Sequence, residues 1–528
     1  VGRDWCSSHV VADKVDQEQG LVRVMHRHVG TPPEVEYLVD GVSTPPRHGK
    51  VRSIDYVDRT VMHERIAWVS CRGTLSVRLK GDLVPIRDWW DEAVPLARNT
   101  QAPTSARDLV RCAARRVART SLRGPGRGVV SGPGHDFRGA WVLVDRIRNA
   151  DDSAEVLFRH LRSNRPDINA WFTVERGTPD WDRLLRDGYG DRLVAWGGVR
   201  WYALMANCNY LISSHANVPI HQPRQIVRLV EPHWKSVFLQ HGIIKDDLSN
   251  WLNPKDFSLF VTSTAAEFAS VAGDDTRYVY TTSEVCNTGL PRFDRLIEVG
   301  AQFPPEDRDL VLVAPTWRHW LTTEDAAQRR TVNPDFWATD YARNWMGFLR
   351  SDRLARVVQD RGLRLAFLPH PDLQEVLDSA DLPSHVTALR FAGQDVRRYF
   401  ARAAAVTTDY SSMAFNAAYL ERPVTYFQFD ADLMFGGGHI GRGGYFKYDR
   451  DGLGPVAYDL EAAVDDLVGV LEHGRQPQPK YLERIRATFP QRDGHACERA
   501  IAAIEALGRP LTAEELRTPV ATPTPSAG

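Results

Sequence analysis

Apolar positions along this chain follow two contrasting patterns. Through the first hundred residues they come in short alternating stretches, such as Ile66-Ala67-Trp68-Val69-Ser70 and Leu75-Ser76-Val77-Arg78-Leu79, between Gly, Pro and Asp punctuation. No long helical period interrupts them, which predicts a small β-rich, sandwich-like module over residues 1–100. From about residue 138 the pattern changes to continuous apolar runs separated by helix-like stretches. Runs at 140–144, 170–174, 210–214, 236–239 and 259–262 form one series; runs at 310–314, 363–368, 404–406 and 424–427 form a second. Residues 156–161 read as helix, and Thr264-Ala265-Ala266-Glu267 reads as a helix-starting capping box. Strands alternating with helices imply parallel sheets covered on both faces. Two such series predict an α/β architecture of two Rossmann-like lobes, 138–300 and 301–508. Ligands are expected beyond the carboxyl ends of the strands, in a cleft between the lobes.

The remaining segments differ in texture. Within a linker over 101–137, Arg107, Arg111, Arg115, Arg116, Arg119, Arg123 and Arg127 face one acid, Asp108, while Leu109, Val110, Ala113 and Val117 leave a partial apolar stripe at helical spacing. Gly124-Pro125-Gly126 ends that pattern. Two readings stand for this basic amphipathic stretch: a solvated connecting helix, or a helix drawn to an anionic membrane surface through 105–127. Residues 518–528 are rich in Pro, Thr and Ala, and 509–528 is expected to be a disordered tail.

Composition narrows the function classes. Hydrophobic residues make up 43% of the chain, enough for sizeable cores, and a net charge of −1 argues against a general nucleic-acid binder. The cysteines, Cys6, Cys71, Cys112, Cys208, Cys286 and Cys497, show no C-x-x-C pair and no zinc spacing, as expected of reduced thiols in a cytosolic protein. No apolar run approaches the roughly 20 residues of a membrane span, and no signal peptide is seen. The chain begins at Val1 rather than Met, as a piece of a longer polypeptide would.

Candidate chemistry gathers at four strand ends. Thr407-Thr408-Asp409-Tyr410-Ser411-Ser412 follows an apolar run and precedes a helix-like run at 413–420. Ser411 and Ser412 there suit an anionic group such as a diphosphate, and Asp409 suits orienting a histidine or accepting from a polyol hydroxyl. A helix cap with a solvated acid is the plainer alternative. His241, in Gln240-His241-Gly242, can sit neutral at physiological pH and accept a proton, and Gly242 permits an unusual backbone angle or close ligand approach; a hydrogen-bonded structural His is the alternative. Lys245, Asp246 and Asp247 line the same cleft or serve as surface charges. Thr316 and Arg318, in Pro315-Thr316-Trp317-Arg318, can grip phosphate oxygens, the alternative for Arg318 being a carboxylate partner. His370 is held in a defined direction by Pro369 and Pro371, which suits a phosphate or leaving-group contact.

Two further features carry less. The glycine run Gly436-Gly437-Gly438-His439, with Gly441, Gly443 and Gly444, reads as a lid or cleft edge and contains no phosphate-loop pattern. Of three D-x-D triplets, only Asp430-Ala431-Asp432 is a credible Mg²⁺ site, since Asp307-Arg308-Asp309 and Asp449-Arg450-Asp451 each carry a central Arg. Metal-free phosphate binding is preferred, with no cofactor.

The ordered set of motifs resembles a known family. Gln240-His241-Gly242, Thr288-Gly289-Leu290-Pro291-Arg292-Phe293-Asp294, Pro315-Thr316-Trp317-Arg318, His370-Pro371, Thr408-Asp409-Tyr410-Ser411-Ser412, Glu421-Arg422-Pro423 and Gly444-Tyr445-Phe446 through Gly454-Pro455 run in the order of the CDP-glycerol glycerophosphotransferases of teichoic-acid and capsule synthesis. The likeness spans about 138–470 and includes Asp145-Arg146 and Asp151-Asp152; the first 100 residues lie outside it. The resemblance implies a GT-B fold with an acceptor-side first lobe and a donor-side second lobe. It implies catalytic roles for His241 and His370 and donor-phosphate contacts from Thr316, Arg318, Ser411 and Ser412; Asp409, from its place at the strand end, is the third catalytic candidate. Gly242, Lys245 and Arg292 would line the cleft.

The same resemblance implies a CDP-glycerol or related CDP-polyol donor, a polymeric or lipid-linked acceptor, and a cytoplasmic enzyme peripheral to the inner membrane face. Two departures stand out: Phe415-Asn416 replaces the usual Phe-Asp, and Ala403-Ala404 replaces an acidic residue. The expected reaction is attack of an acceptor hydroxyl on the distal phosphorus, with His241 as base and CMP leaving. A nucleotide-sugar glycosyltransferase on the same fold is the alternative activity, and a non-catalytic glycan-binding protein led by the β-rich module is a third.

Overall fold

The computed structural model describes residues 9–29, 34–55, 61–79, 82–84, 87–88, 135–230, 232–324, 330–391, 394–435, 442–512, 514–515, 518 and 520. The arginine-rich stretch at 105–127, the glycine run at 436–441 and residues 521–528 lie outside the described residues.

In the N-terminal module, alternation of apolar and polar residues builds strands His9–Asp16 (β1), Leu21–Val29 (β2), Val35–Val39 (β3), Val42–Ser43 (β4), His48–Asp55 (β5), Val61–Ser70 (β6), Leu75–Leu79 (β7), Asp82–Val84 (β8) and Arg87–Asp88 (β9). They form two sheets, ordered β5-β6-β2-β1-β9 and β4-β3-β7-β8. Pairing is antiparallel except between β1 and β9. With a side-chain period of two, one face of each sheet is apolar. Val24 faces Ala67 and Tyr37 faces Val77 in register, and these join Val10, Val69 and Leu79 in the module's core.

The module is docked on the lobe that follows it by desolvated charges. Lys50 is buried, and its Nζ donates to the carbonyls of Val271 (2.8 Å) and Tyr280 (3.2 Å) and to Thr276 Oγ1 (2.7 Å). Burial pushes its ammonium down to about 7 against the pull of Asp274. Arg23 and Trp68 both donate to Glu284 at 3.2 Å. Part of the segment expected to be a disordered tail is also held here. Arg509 pairs with Glu515 (2.6 Å), and the Val520 N–H donates to the Arg47 carbonyl (2.6 Å), because these polar groups find partners that composition does not reveal.

A histidine ladder lies in this module. His26 stacks on His28 (5.4 Å between centroids), and His28 on His63 (5.8 Å), its cross-strand neighbour, with Arg65 opposite His26. Neither ring nitrogen of His26 or His28 has a hydrogen-bond partner among the described residues. Burial, then the like charges of His28 and Arg65, lowers His26 to about 4; burial and His63 hold His28 below 6.5; burial lowers His48 to about 4. The unfolded chain accepts these protons near 6.5 and the folded one resists them. Stability is therefore intact above about pH 6.5 and lost as pH falls toward 4. The thermal midpoint is expected to drop across that window, and less steeply in His26→Leu; equal slopes in calorimetry would refute the assignment.

Two parallel sheets follow, as expected. The first contains Ala140–Val144 (β10), Ala170–Val174 (β11), Leu193–Ala195 (β12), Cys208–Ser213 (β13), Lys235–Phe238 (β14), Leu259–Thr262 (β15) and Val285–Asn287 (β16), in order β12-β11-β10-β13-β14-β15-β16. After Leu310–Val313 (β17), a hairpin of Thr322–Glu324 (β18) and Arg330–Val332 (β19) intervenes. The second parallel sheet then adds Arg364–Phe367 (β20), Val386–Ala388 (β21), Ala403–Thr408 (β22), Val424–Phe427 (β23) and Val456–Ala457 (β24), in order β21-β20-β17-β22-β23-β24. β10, β17 and β22 are buried along their whole length, since helices cover both faces. In each sheet the strand order reverses beside the first strand, between β10 and β13 and between β17 and β22. Such switch points leave an opening at the carboxyl ends.

By internal contacts the chain divides into two compact units. One comprises Val1–His241, Ser249–Pro291 and Cys497–Gly528, with the module and the seven-stranded sheet; the other comprises Gly242–Leu248 and Arg292–Ala496, with the six-stranded sheet. No helix among the described residues is long and apolar enough to cross a membrane.

Candidate active site

In the first unit, polar residues meet at the β10/β13 switch point. β10 runs into Asp145-Arg146, β13 into Ser214-His215, and β14 into Leu239-Gln240-His241. The buried Asp145 carboxyl accepts from the N–H groups of Asp152 (3.0 Å), Ala154 (2.9 Å) and Glu155 (3.2 Å), and from the Ser214 hydroxyl. Burial and the neighbouring Asp152 charge push it up to about 8, against the Ser214 hydroxyl bond. Three of those contacts come from the start of the helix Ser153–Asn164 and the residue before it, where Asp152 is the N-cap.

His241 is exposed, and its Nδ1 lies 3.3 Å from the Ser214 carbonyl. A carbonyl only accepts, so Nδ1 carries the hydrogen and Nε2 keeps the lone pair. The ring stacks on His215, with centroids 4.1 Å apart and planes inclined by 13°. The preceding residue, Gln240, has φ of 64°, a left-handed conformation costly for a non-glycine residue. Its own side chain holds it there, donating to the Val261 carbonyl (2.6 Å) and Glu267 Oε1 (3.1 Å). Glu267 is fixed by the expected cap: Thr264 Oγ1 accepts the Glu267 N–H (3.0 Å), and Glu267 Oε2 accepts that of Ser263 (2.7 Å). His215 was not among the sequence candidates, although Ser213-Ser214-His215 ends an apolar run as the other candidate segments do.

In the second unit, Thr316, Arg318, Asp409, Ser411 and Ser412 surround the β17/β22 switch point, and the Trp317 and His370 rings lie 6.0 Å apart. Arg318 and Asp409 do not present themselves to a ligand. Both are fully buried. Arg318 Nη2 donates to Asp409 (2.8 Å) and Asp430 (3.1 Å), Nε to Asp430 (2.8 Å), and Nη1 to the carbonyls of Thr316 (2.8 Å) and Trp317 (3.4 Å). The guanidinium fork is thus occupied by carboxylates and main chain, so the phosphate contact expected of Arg318 is replaced by an internal tie. Burial alone would lower the Arg318 pKa, but Asp409 and Asp430 outweigh it and hold it above its ordinary value. Asp409 also accepts from the N–H groups of Thr316 (2.8 Å) and Tyr410 (2.6 Å), so the expected catalytic acid is a scaffold for the loop. Asp430, the first acid of the credible D-x-D triplet Asp430-Ala431-Asp432, is the third member of this cluster. Among the described residues no group of His, Cys, Asp and Glu is placed to hold a metal ion.

The other candidates of this unit differ in what they offer. Thr316 Oγ1 is buried with no hydrogen-bond partner among the described residues. His370 Nδ1 accepts the Asp372 N–H (3.2 Å), which places the ring hydrogen on Nε2. Ser411 Oγ accepts the Met413 N–H (3.1 Å), while Ser412 is exposed. Gly242 runs beside Ser412, whose Oγ would stand 3.4 Å from a Cβ there. Lys245 is buried and paired with Asp246 (2.5 Å), and Arg292 is half-buried in the helix Pro291–Gly300. A Cβ on Gly444 would sit 2.2 Å from the Lys245 carbonyl oxygen, so only glycine fits that approach.

The profile of the family described as CDP-Glycerol:Poly(glycerophosphate) glycerophosphotransferase matches residues 136–506. The minor teichoic acid biosynthesis protein GgaB of Bacillus subtilis (strain 168) is 27% identical over 360 residues, which is 67% of this chain and 38% of that protein. A teichoic acid glycerol-phosphate transferase of Staphylococcus aureus (strain NCTC 8325 / PS 47) is 24% identical over 233 residues, 41% of this chain and 53% of its own length. The chain thus spans about half the length, or less, of the curated relatives it matches. The solved structure of the wall teichoic acid polymerase TagF superposes with a TM-score of 0.51 at 15% identity, over 79% of this chain and 95% of that one. That likeness is one of fold and supports the GT-B-like class.

Proposed function

Because the chain belongs to the CDP-glycerol:poly(glycerophosphate) glycerophosphotransferase family, we propose that it transfers a polyol phosphate from a CDP-activated donor, CDP-glycerol before others, to a hydroxyl of a teichoic-acid-like or capsule polymer. CMP is released. The acceptor oxygen forms a bond to the distal phosphorus as the bond from that phosphorus to the CMP oxygen breaks. The acceptor proton passes to His241 Nε2. The observation that carries this reading is the His241 tautomer: its Nδ1 faces a carbonyl, which leaves Nε2 basic.

On the donor side, three groups take the place of Arg318. Thr316 Oγ1, the Ser412 hydroxyl and His370 Nε2–H donate to diphosphate oxygens and stabilise the charge that grows on the leaving phosphate. Their support is the unpartnered Thr316 hydroxyl, the exposure of Ser412 and the His370 tautomer. The basic stretch 105–127 is read as a contact to an anionic membrane surface on its cytoplasmic face, where a lipid-linked acceptor would lie.

Incubation of the full chain with CDP-glycerol and a lipid-linked acceptor should release CMP and lengthen the product by glycerol-phosphate increments in mass spectrometry. Transfer from a UDP- or GDP-sugar, with none from CDP-glycerol or CDP-ribitol, would overturn the assignment in favour of a glycosyltransferase.

A further inference from the structure

We propose that His215 is a positioning residue for His241, fixing the plane of its imidazole and so the place of Nε2. The inference rests on the general-base reading of His241. Its basis is a paired arrangement at the switch point. Asp145 and Arg146, adjacent after β10, each hold one of two adjacent residues after β13. Asp145 takes the Ser214 hydroxyl, and Arg146 Nε donates to His215 Nε2 at 2.9 Å. Those two residues in turn hold His241 on two sides, the Ser214 carbonyl at Nδ1 and the His215 ring against its face. A hydrogen bond at Nδ1 fixes one edge of an imidazole but not its plane. A ring stacked 4.1 Å away removes the remaining rotation.

Arg146 also selects the tautomer of the support. A guanidinium only donates, so His215 Nε2 accepts and its hydrogen lies on Nδ1. Protonating His215 would turn an N–H against the Arg146 N–H. His215 is buried, and among the groups facing it are Arg146, His241 and Asp152, whose carboxylate is 3.9 Å from Nε2. A neutral ring beneath His241 lets that residue gain a proton without an adjacent imidazolium, and its π face favours the cation that forms.

The test compares His215→Ala, His215→Phe, Arg146→Met and His241→Ala in the full chain. CMP release from CDP-glycerol with acceptor is followed across pH, and donor Kd is measured by calorimetry. His215→Ala is expected to lose about 10²-fold in kcat, with donor Kd unchanged. The acid limb of its pH profile should move to lower pH, since His241 loses the π face that favours its cation. His215→Phe, which keeps a ring face, should recover much of the rate. Arg146→Met should lower kcat in the same direction, and it decides the matter if His215→Ala does not fold. An unaltered kcat and pH profile in His215→Ala or Arg146→Met, or a Phe variant no better than Ala, would overturn the proposal. If His241→Ala is inert while His215→Ala is normal, only this inference fails; if His241→Ala turns over fully, the base assignment itself fails.

Discussion

His241→Ala is expected to bind donor as the parent chain does and to release CMP about 10² to 10⁴ times more slowly. That loss corresponds to about 3 to 5 kcal/mol of barrier, the worth of a proton acceptor held at the attacking oxygen. Three features of the structure focus the effect on chemistry rather than folding. His241 is exposed, so truncation leaves no cavity. Its hydrogen bond to the Ser214 main-chain carbonyl, at 3.3 Å, is long. The strained backbone before it is held by the Gln240 side chain, not by the imidazole. Calorimetric titration with CDP-glycerol beside a CMP-release assay separates the two quantities. A variant that turns over at the parent rate would remove His241 from the reaction, whereas lost donor affinity would make it a binding residue.

Arg318→Ala should unfold the second unit rather than weaken donor binding selectively. The substitution leaves Asp409 and Asp430, with side chains 0% and 7% exposed, as buried carboxylates without their cation. Breaking a buried pair in this way costs about 3–5 kcal/mol, a large share of the roughly 5–15 kcal/mol that holds a domain together. The Tyr410 hydroxyl, 3.1 Å from Asp430, and the Thr316 and Tyr410 N–H groups on Asp409 bring no positive charge to replace the guanidinium. Arg318→Lys should recover little, because one ammonium cannot reproduce the fork that spans two carboxylates and two carbonyls. Guanidinium-chloride unfolding reads the loss directly. A variant with the parent midpoint and weakened donor affinity would restore Arg318 as a phosphate ligand.

Much of the fold is legible along the chain. The runs at 140–144, 170–174, 259–262 and 424–427 coincide with β10, β11, β15 and β23. Strands buried on both faces must be continuously apolar, so they mark themselves. The strands β12, β16, β21 and β24 have two or three residues each, too few to show a period. They lie toward the margins of the sheets, where neighbours rather than local preference make them strands. Thr264 to Glu267 announced their cap because capping is settled within four residues.

The candidate site divides on the same line. Local sequence determined that hydroxyls, imidazoles and a guanidinium stand where strands end, since a polar residue after an apolar run must come at the sheet's margin. Only the tertiary structure decided what each of them meets. Arg318 finds Asp409 and Asp430 across 91 and 112 residues and is spent on them, and His215 finds His241 across a strand neither belongs to. The charge on a side chain is written in its own residue. The partner that desolvates, saturates or stacks on it is chosen by the strand order, which no stretch of neighbouring residues contains.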